Sequence, residues 1–211
     1  HQREKLAGLG TLAAGLAHEL NNPAAAAQRS VGSLRESMAK WQQLTLQLDH
    51  RNFDLQQAER LKQLRAQMEQ HARSDAILNP IERGDQESEL QAWLEHQGID
   101  DAYELAPTLV AFGLNAATLK ETAAQFAEGD RSTVLRWLAY GYTVYSLLDE
   151  VGTSSLRISE IVKAVKSYSY LDQAPVQEVN VHDGLENTLI ILKHKLKQGV
   201  SIVREYQPDL P

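Results

Sequence analysis

The residues with the clearest capacity for chemistry lie in Leu16-Ala17-His18-Glu19-Leu20-Asn21-Asn22-Pro23. A neutral imidazole is a good nucleophile near pH 7, and an adjacent carboxylate can hold the proton of one ring nitrogen so that the other is free to attack. Directed at a phosphate, that pair would give a phosphohistidine. On a helix, Asn22 falls four residues after His18 and shares its face, while Glu19 is offset by about 100° and reaches the ring from the side. Ala14, Gly15 and Ala25 are small neighbours that leave space beside the ring. Pro23 has no N–H to give the carbonyl of Glu19 and crowds it, so a bend or weakened turn is expected next to His18. By residue type alone, the pattern also suits an exposed histidine with no chemical role. A zinc site fails sooner, because His-Glu-x-x-His needs a second histidine where this chain has Asn22, and one imidazole with one carboxylate leaves a tetrahedral ion unmet.

A helix has to hold these side chains. Leu6, Leu9, Ala13, Leu16 and Leu20 recur at spacings of three and four, the rhythm of a supercoiled seam. His18 stands two residues from Leu16 and from Leu20, so it points away from that seam. Past Pro23 the rhythm resumes at Ala27, Leu34, Trp41 and Leu48, with Ala24, Val31 and Met38 as a second row beside it. Two adjacent rows make a stripe wide enough for a four-helix bundle. The expected helix runs from about Glu4 to about Leu48. A second long helix opens after Asp130, read as its N-cap, carries Leu135, Leu138, Tyr142, Ile158, Ile161 and Val165 among its apolar positions, and ends near Leu171. Neither stripe can be covered by the other alone. The expected architecture is therefore mainly α: a long antiparallel helical hairpin that forms a four-helix bundle by homodimerisation.

Between the long helices, residues 52–129 are too many for a structureless turn. A polar helical stretch follows Arg51, a loop is expected over Asn79–Asp85, and short helices are expected at Glu87–His96, Ala102–Phe112 and Ala116–Ala127, stopped by Gly98, Gly113 and Gly129. This stretch is read as a helical insert. After Pro175 the helical period is lost: Val176–His182 reads as a short strand, Asp183 opens a helix over Gly184 to about Lys197, and Val200–Tyr206 reads as a second strand. The expected organisation is 1–51, first helix; 52–129, insert; 130–174, second helix; and 175–211, the start of an α/β domain.

Composition narrows the function classes. Of 211 residues 43% are hydrophobic, 23% charged and 6% aromatic, ordinary usage for a folded, helix-rich chain. Lys and Arg number 21 against 28 Asp and Glu, a net charge of −7 that argues against a sequence-independent grip on nucleic acid. Cysteine is absent, so disulfides and thiol nucleophiles are excluded. No apolar run reaches the roughly 18 residues of a membrane span, and the N-terminus lacks a signal-peptide core, so a cytoplasmic location and no membrane segment are expected. The chain also reads as part of a longer protein. Asp172, Asp183 and Glu186 are read as caps and surface groups, and Tyr140, Tyr142, Tyr145, Tyr168 and Tyr170 as bundle packing. His1, His50, His71, His96, His182 and His194 are read as surface residues, and Lys193, Lys195 and Lys197 as a solvated helix end.

The run Leu9-Gly10-Thr11-Leu12-Ala13-Ala14-Gly15-Leu16-Ala17-His18-Glu19-Leu20-Asn21-Asn22-Pro23 resembles the phosphoacceptor box of two-component sensor histidine kinases. The second long helix, through Tyr168-Ser169-Tyr170-Leu171-Asp172 into Val179-Asn180-Val181-His182-Asp183-Gly184-Leu185, is similar to that family's second dimerisation helix and the entry to its GHKL-type ATP-binding domain. The resemblance covers about 130 residues and leaves out 52–129. It implies that His18 accepts the γ-phosphoryl group of ATP, that Glu19 is general base or orienting carboxylate, that Asn22 positions water in dephosphorylation, and that Pro23 bends the helix. It also implies a homodimer, a response-regulator receiver domain whose aspartate takes the phosphoryl group, and ATP with Mg²⁺ as cofactors of the complete protein. The family's Asn-rich and glycine-rich ATP motifs have no counterpart here, so these residues alone are expected to bind no ATP. The other class that fits is a non-catalytic helical dimerisation scaffold or a docking module for a signalling partner.

Overall fold

A computed structural model describes residues 2–73, 79–170, 180–192 and 201–206. The chain is mainly α. In order come α1 (Gln2–Asp49), α2 (Leu55–Ala72), α3 (Pro80–His96), α4 (Ala102–Ala111), α5 (Ala116–Ala124), α6 (Glu128–Tyr170) and α7 (Val181–Leu192), with no strand among the described residues. No described helix is long and apolar enough to cross a membrane. Contacts divide the chain into two compact units, residues 29–151 and residues 1–28 with 152–211.

In the 29–151 unit, the C-terminal part of α1 lies antiparallel to the start of α6. The Trp137 indole N–H donates to Thr45 Oγ1 at 3.0 Å, Trp41 meets Trp137 at a tilt and Tyr145 edge-on at centroid distances of 6.2 and 5.8 Å, and Arg51 pairs with Asp130 at 3.1 Å. Helices α2 to α5 close around this pair. Leu64, Met68, Leu90, Leu94, Leu109 and Leu119 are fully buried, and they share one core with Leu48, Leu135 and Leu138 of the long helices. Burying each such side chain contributes about 1.5–3 kcal/mol relative to leaving it in water. The helices expected within 52–129 are thus packed on the long helices through a common core.

Local chemistry explains where these helices start and stop. Asp54 with Gln57 and Asn115 with Thr118 form reciprocal capping boxes at the heads of α2 and α5. Gly98 and Gly113 adopt φ of 72° and 90°, and the amides that follow them, Ile99 and Leu114, donate back to Leu94 and Leu109 at 3.1 and 3.0 Å. That left-handed stop, natural for glycine, ends α3 and α4 as expected. Gly129 differs: it lies inside the first turn of α6, whose opening carbonyl is that of Ala127, so Asp130 is a first-turn residue and not the N-cap. The loop expected over Asn79–Asp85 is also replaced. Asn79 caps α3 by accepting from the Ile81 amide at 3.2 Å, and Pro80 takes the first helical position, where its missing N–H costs nothing.

The second unit holds the N-terminal part of α1, the C-terminal part of α6, and α7. Among its described side chains on α6, Ser154, Ile161 and Ala164 are buried, at helical spacing. The strand expectations are corrected where the structure describes them. Val181 and His182 open α7, with Asn180 Oδ1 accepting from the His182 amide at 3.0 Å; Asp183 is therefore inside the first turn. Ser201–Tyr206 pairs with no strand among the described residues, and alternation along a segment cannot supply the ladder a strand needs. Val176–Val179, Asp172, Val200 and Lys193, Lys195 and Lys197 lie outside the described residues.

Asp101, at the head of α4, makes no cap bond and instead accepts from Arg136 of α6, from Nε at 3.0 Å to each oxygen and from Nη2 at 2.8 Å. Burial pushes the Asp101 carboxyl up, but the hydrogen bonds and charge of Arg136 outweigh it and hold the group below the ordinary carboxylate range. A lowered carboxyl stabilises the fold above its unfolded pKa of about 3.9 and loses that contribution as pH falls through the lower folded value. With both side chains about a third exposed, Asp101→Asn is expected to cost about 1 kcal/mol at pH 7 in urea unfolding, and the gap to the parent should close in acid. A gap independent of pH would contradict this assignment. The α1–α6 approach yields a second expectation. A Cβ on Gly141 would lie 2.7 Å from Trp41 Nε1 and 2.8 Å from Met68 Sδ. Gly141→Ala should therefore destabilise by about 1–3 kcal/mol through overpacking, despite alanine's better helix propensity; an unchanged or higher unfolding midpoint would refute that.

Candidate phosphoacceptor site

Helix α1 continues through Pro23 without interruption, and it alone positions the four residues singled out in the sequence. His18 and Asn22 are both exposed, one helical turn apart, and Asn21 is exposed beside them. Leu16 and Leu20, the seam neighbours of His18, are half-buried, as the two-residue offset requires. Glu19 and Pro23 are half-buried too, so the carboxylate sits at the edge of the covered face while the imidazole faces water. Pro23 leaves the Glu19 carbonyl without the amide that an unbroken ladder would supply. No hydrogen bond or ion pair engages His18, Glu19 or Asn22 among the described residues. The structure brings His18 and Asn22 to one accessible face and leaves the His18–Glu19 contact unmade.

A second polar group was not anticipated. Glu186 on α7 accepts from Arg204 Nε at 2.6 Å and from the Tyr206 hydroxyl at 2.8 Å, and the His182 ring stacks on Tyr206 at 4.5 Å. The Arg204 guanidinium first, and the Tyr206 hydroxyl with it, hold the Glu186 carboxyl below its usual range. The four-residue spacing of His182 and Glu186 was the available signal, since it places both on one helical face. His71, expected at the surface, is half-buried: its ring meets Phe112 edge-on at 5.5 Å and its Nδ1 lies 3.0 Å from the Gln67 carbonyl. Tyr140, Tyr142 and Tyr145 pack against the core as expected, whereas the side chains of Tyr168 and Tyr170 lie outside the described ones.

Among the described residues, no group of three or more His, Cys, Asp or Glu side chains converges on a common point. Compared with known proteins, the chain matches no family model, no curated protein and no solved structure.

Proposed function

We propose that this chain is the dimerisation and phosphotransfer part of a two-component sensor histidine kinase, with His18 as phosphoacceptor. The observation that carries the reading is the placement of His18 and Asn22: exposed on one face of an unbroken helix, between half-buried leucines, with a carboxylate next in sequence. A lone pair on one imidazole nitrogen attacks the γ-phosphorus of ATP as the bond from phosphorus to the bridging oxygen of ADP breaks. The phosphoimidazolium so formed gives its other ring proton to Glu19, which acts as general base or orienting carboxylate. The phosphoryl group then passes to an aspartate of a response-regulator receiver domain, or to a water positioned by Asn22. ATP is supplied by a nucleotide-binding domain of the same protein.

A homodimer belongs to the same reading. Ala24, Val31 and Met38 repeat every seven residues along α1 and all are exposed, Val31 at 36% and Met38 at 40%. Leu148 and Val162 of α6 are likewise exposed, at 47% and 50%. An apolar row at heptad spacing along α1 is what a second hairpin would cover.

The test mixes the chain with an ATP-binding domain of this kinase class and γ-labelled ATP. Acid-labile, base-stable label should appear on the parent and fall to background in His18→Gln. Glu19→Gln, with unchanged circular dichroism, should lower the rate by about 10²-fold or more, the usual size of a general-base contribution. Acid-labile label that persists in His18→Gln would refute the assignment and leave a helical scaffold as the reading.

A further inference from the structure

We propose that the 29–151 unit carries a binding site for a small amphipathic carboxylate, in the groove where the end of α1, the first half of α2 and the start of α6 meet. The groove holds about 370 Å³, within the ordinary range of small-ligand sites. Its apolar wall is Leu48, Phe53, Ala58, Leu61 and the indole of Trp137. Trp137 spends its N–H on Thr45 and the Thr45 hydroxyl donates to the Trp41 carbonyl at 2.8 Å, so these polar atoms are satisfied, and the 5% of Trp137 left uncovered adds to the apolar wall.

The rim selects the head group. Arg51, Lys62 and Arg65 line the groove against a single lining carboxylate, Asp49, in a chain that is acidic as a whole. Arg51 is anchored through Nε to Asp130, and Arg65 donates from Nε to the Tyr145 hydroxyl at 3.4 Å with its guanidinium 5.6 Å from the Trp41 ring. The Nη ends of both arginines make no hydrogen bond to a described residue. Two anchored guanidiniums with open forks suit a carboxylate, which they can grip by paired charge-assisted hydrogen bonds. Lys62, paired with Glu59 only at 3.6 Å and 77% exposed, adds a further positive charge. This site draws on nothing in the phosphoacceptor reading, so either can fail without the other.

The probes are 4-phenylbutyrate and its neutral analogue 4-phenylbutanamide, titrated into the ¹⁵N-labelled chain while the indole N–H signals of its three tryptophans are followed. The carboxylate should shift the Trp137 signal saturably, and bind about fivefold or more tightly than the amide. Arg51→Gln with Lys62→Gln should weaken the carboxylate by a similar factor and leave the amide unchanged. Ala58→Trp should abolish both by filling the groove while the Trp93 signal stays at its native position. Absence of a saturable Trp137 shift at millimolar probe, equal affinity for acid and amide, or undiminished binding to a folded Ala58→Trp variant would overturn the proposal.

Discussion

The fold of the 29–151 unit depends on how closely α1 approaches α6 at Trp41. Gly141 has no side chain, so the indole edge and the Met68 thioether occupy the space a Cβ would fill. That approach fixes the antiparallel register that the Trp137–Thr45 hydrogen bond and the Arg51–Asp130 pair extend toward the end of the hairpin. It carries a cost, since Trp41 Nε1 is buried without a hydrogen-bond partner among the described residues. Ring contacts to Trp137 and Tyr145 and the Arg65 guanidinium over the indole offset it. Because Met68 belongs to α2, the same contact ties the helices between the long ones into the hairpin core. Excising 52–129 would strip that core of Leu64, Met68, Leu90 and Leu94, so such a deletion reports on folding before it reports on function.

The proposed chemistry asks for the opposite environment. A nucleophile must be reachable by a phosphoryl donor and later by an acceptor, which an imidazole packed on the seam would not be. Helix α1 meets both demands by phase: Leu16 and Leu20 go to the covered side and His18, two residues from each, to the open side. Proline four residues after Glu19 removes one backbone hydrogen bond at this point and nowhere else in α1.

Much of this was legible in the sequence because it is periodic. The expected helix from Glu4 to Leu48 is observed as Gln2–Asp49, and the one ending near Leu171 ends at Tyr170. Exposure of His18 and Asn22 follows from the same periodicity. Signals that depend on context misled: Asn79-Pro80 reads as a breaker but starts a helix, and Gly129 reads as a stop but falls within the first turn of the next helix. Alternation at Val181 and His182 yielded to a cap from Asn180. What pairs distant residues left no local trace. The Asp101–Arg136 clamp spans 35 positions, and the groove beside Trp137 draws its lining from three helices and the turn between two of them.

In the proposed reading His18 is a nucleophile set apart from the other six histidines by its sequence neighbours Glu19, Asn22 and Pro23, while exposure is a property it shares with His50 and His96. Phosphoramidate, a small donor that needs no ATP-binding domain, tests this on the chain itself, with ³¹P resonance and peptide mapping as readouts. The account predicts a phosphohistidine that maps to His18 and forms about tenfold or more faster than at any other histidine, with Glu19→Gln removing most of that advantage. Labelling spread evenly over His18, His50 and His96, or the same His18 rate in Glu19→Gln, would contradict it.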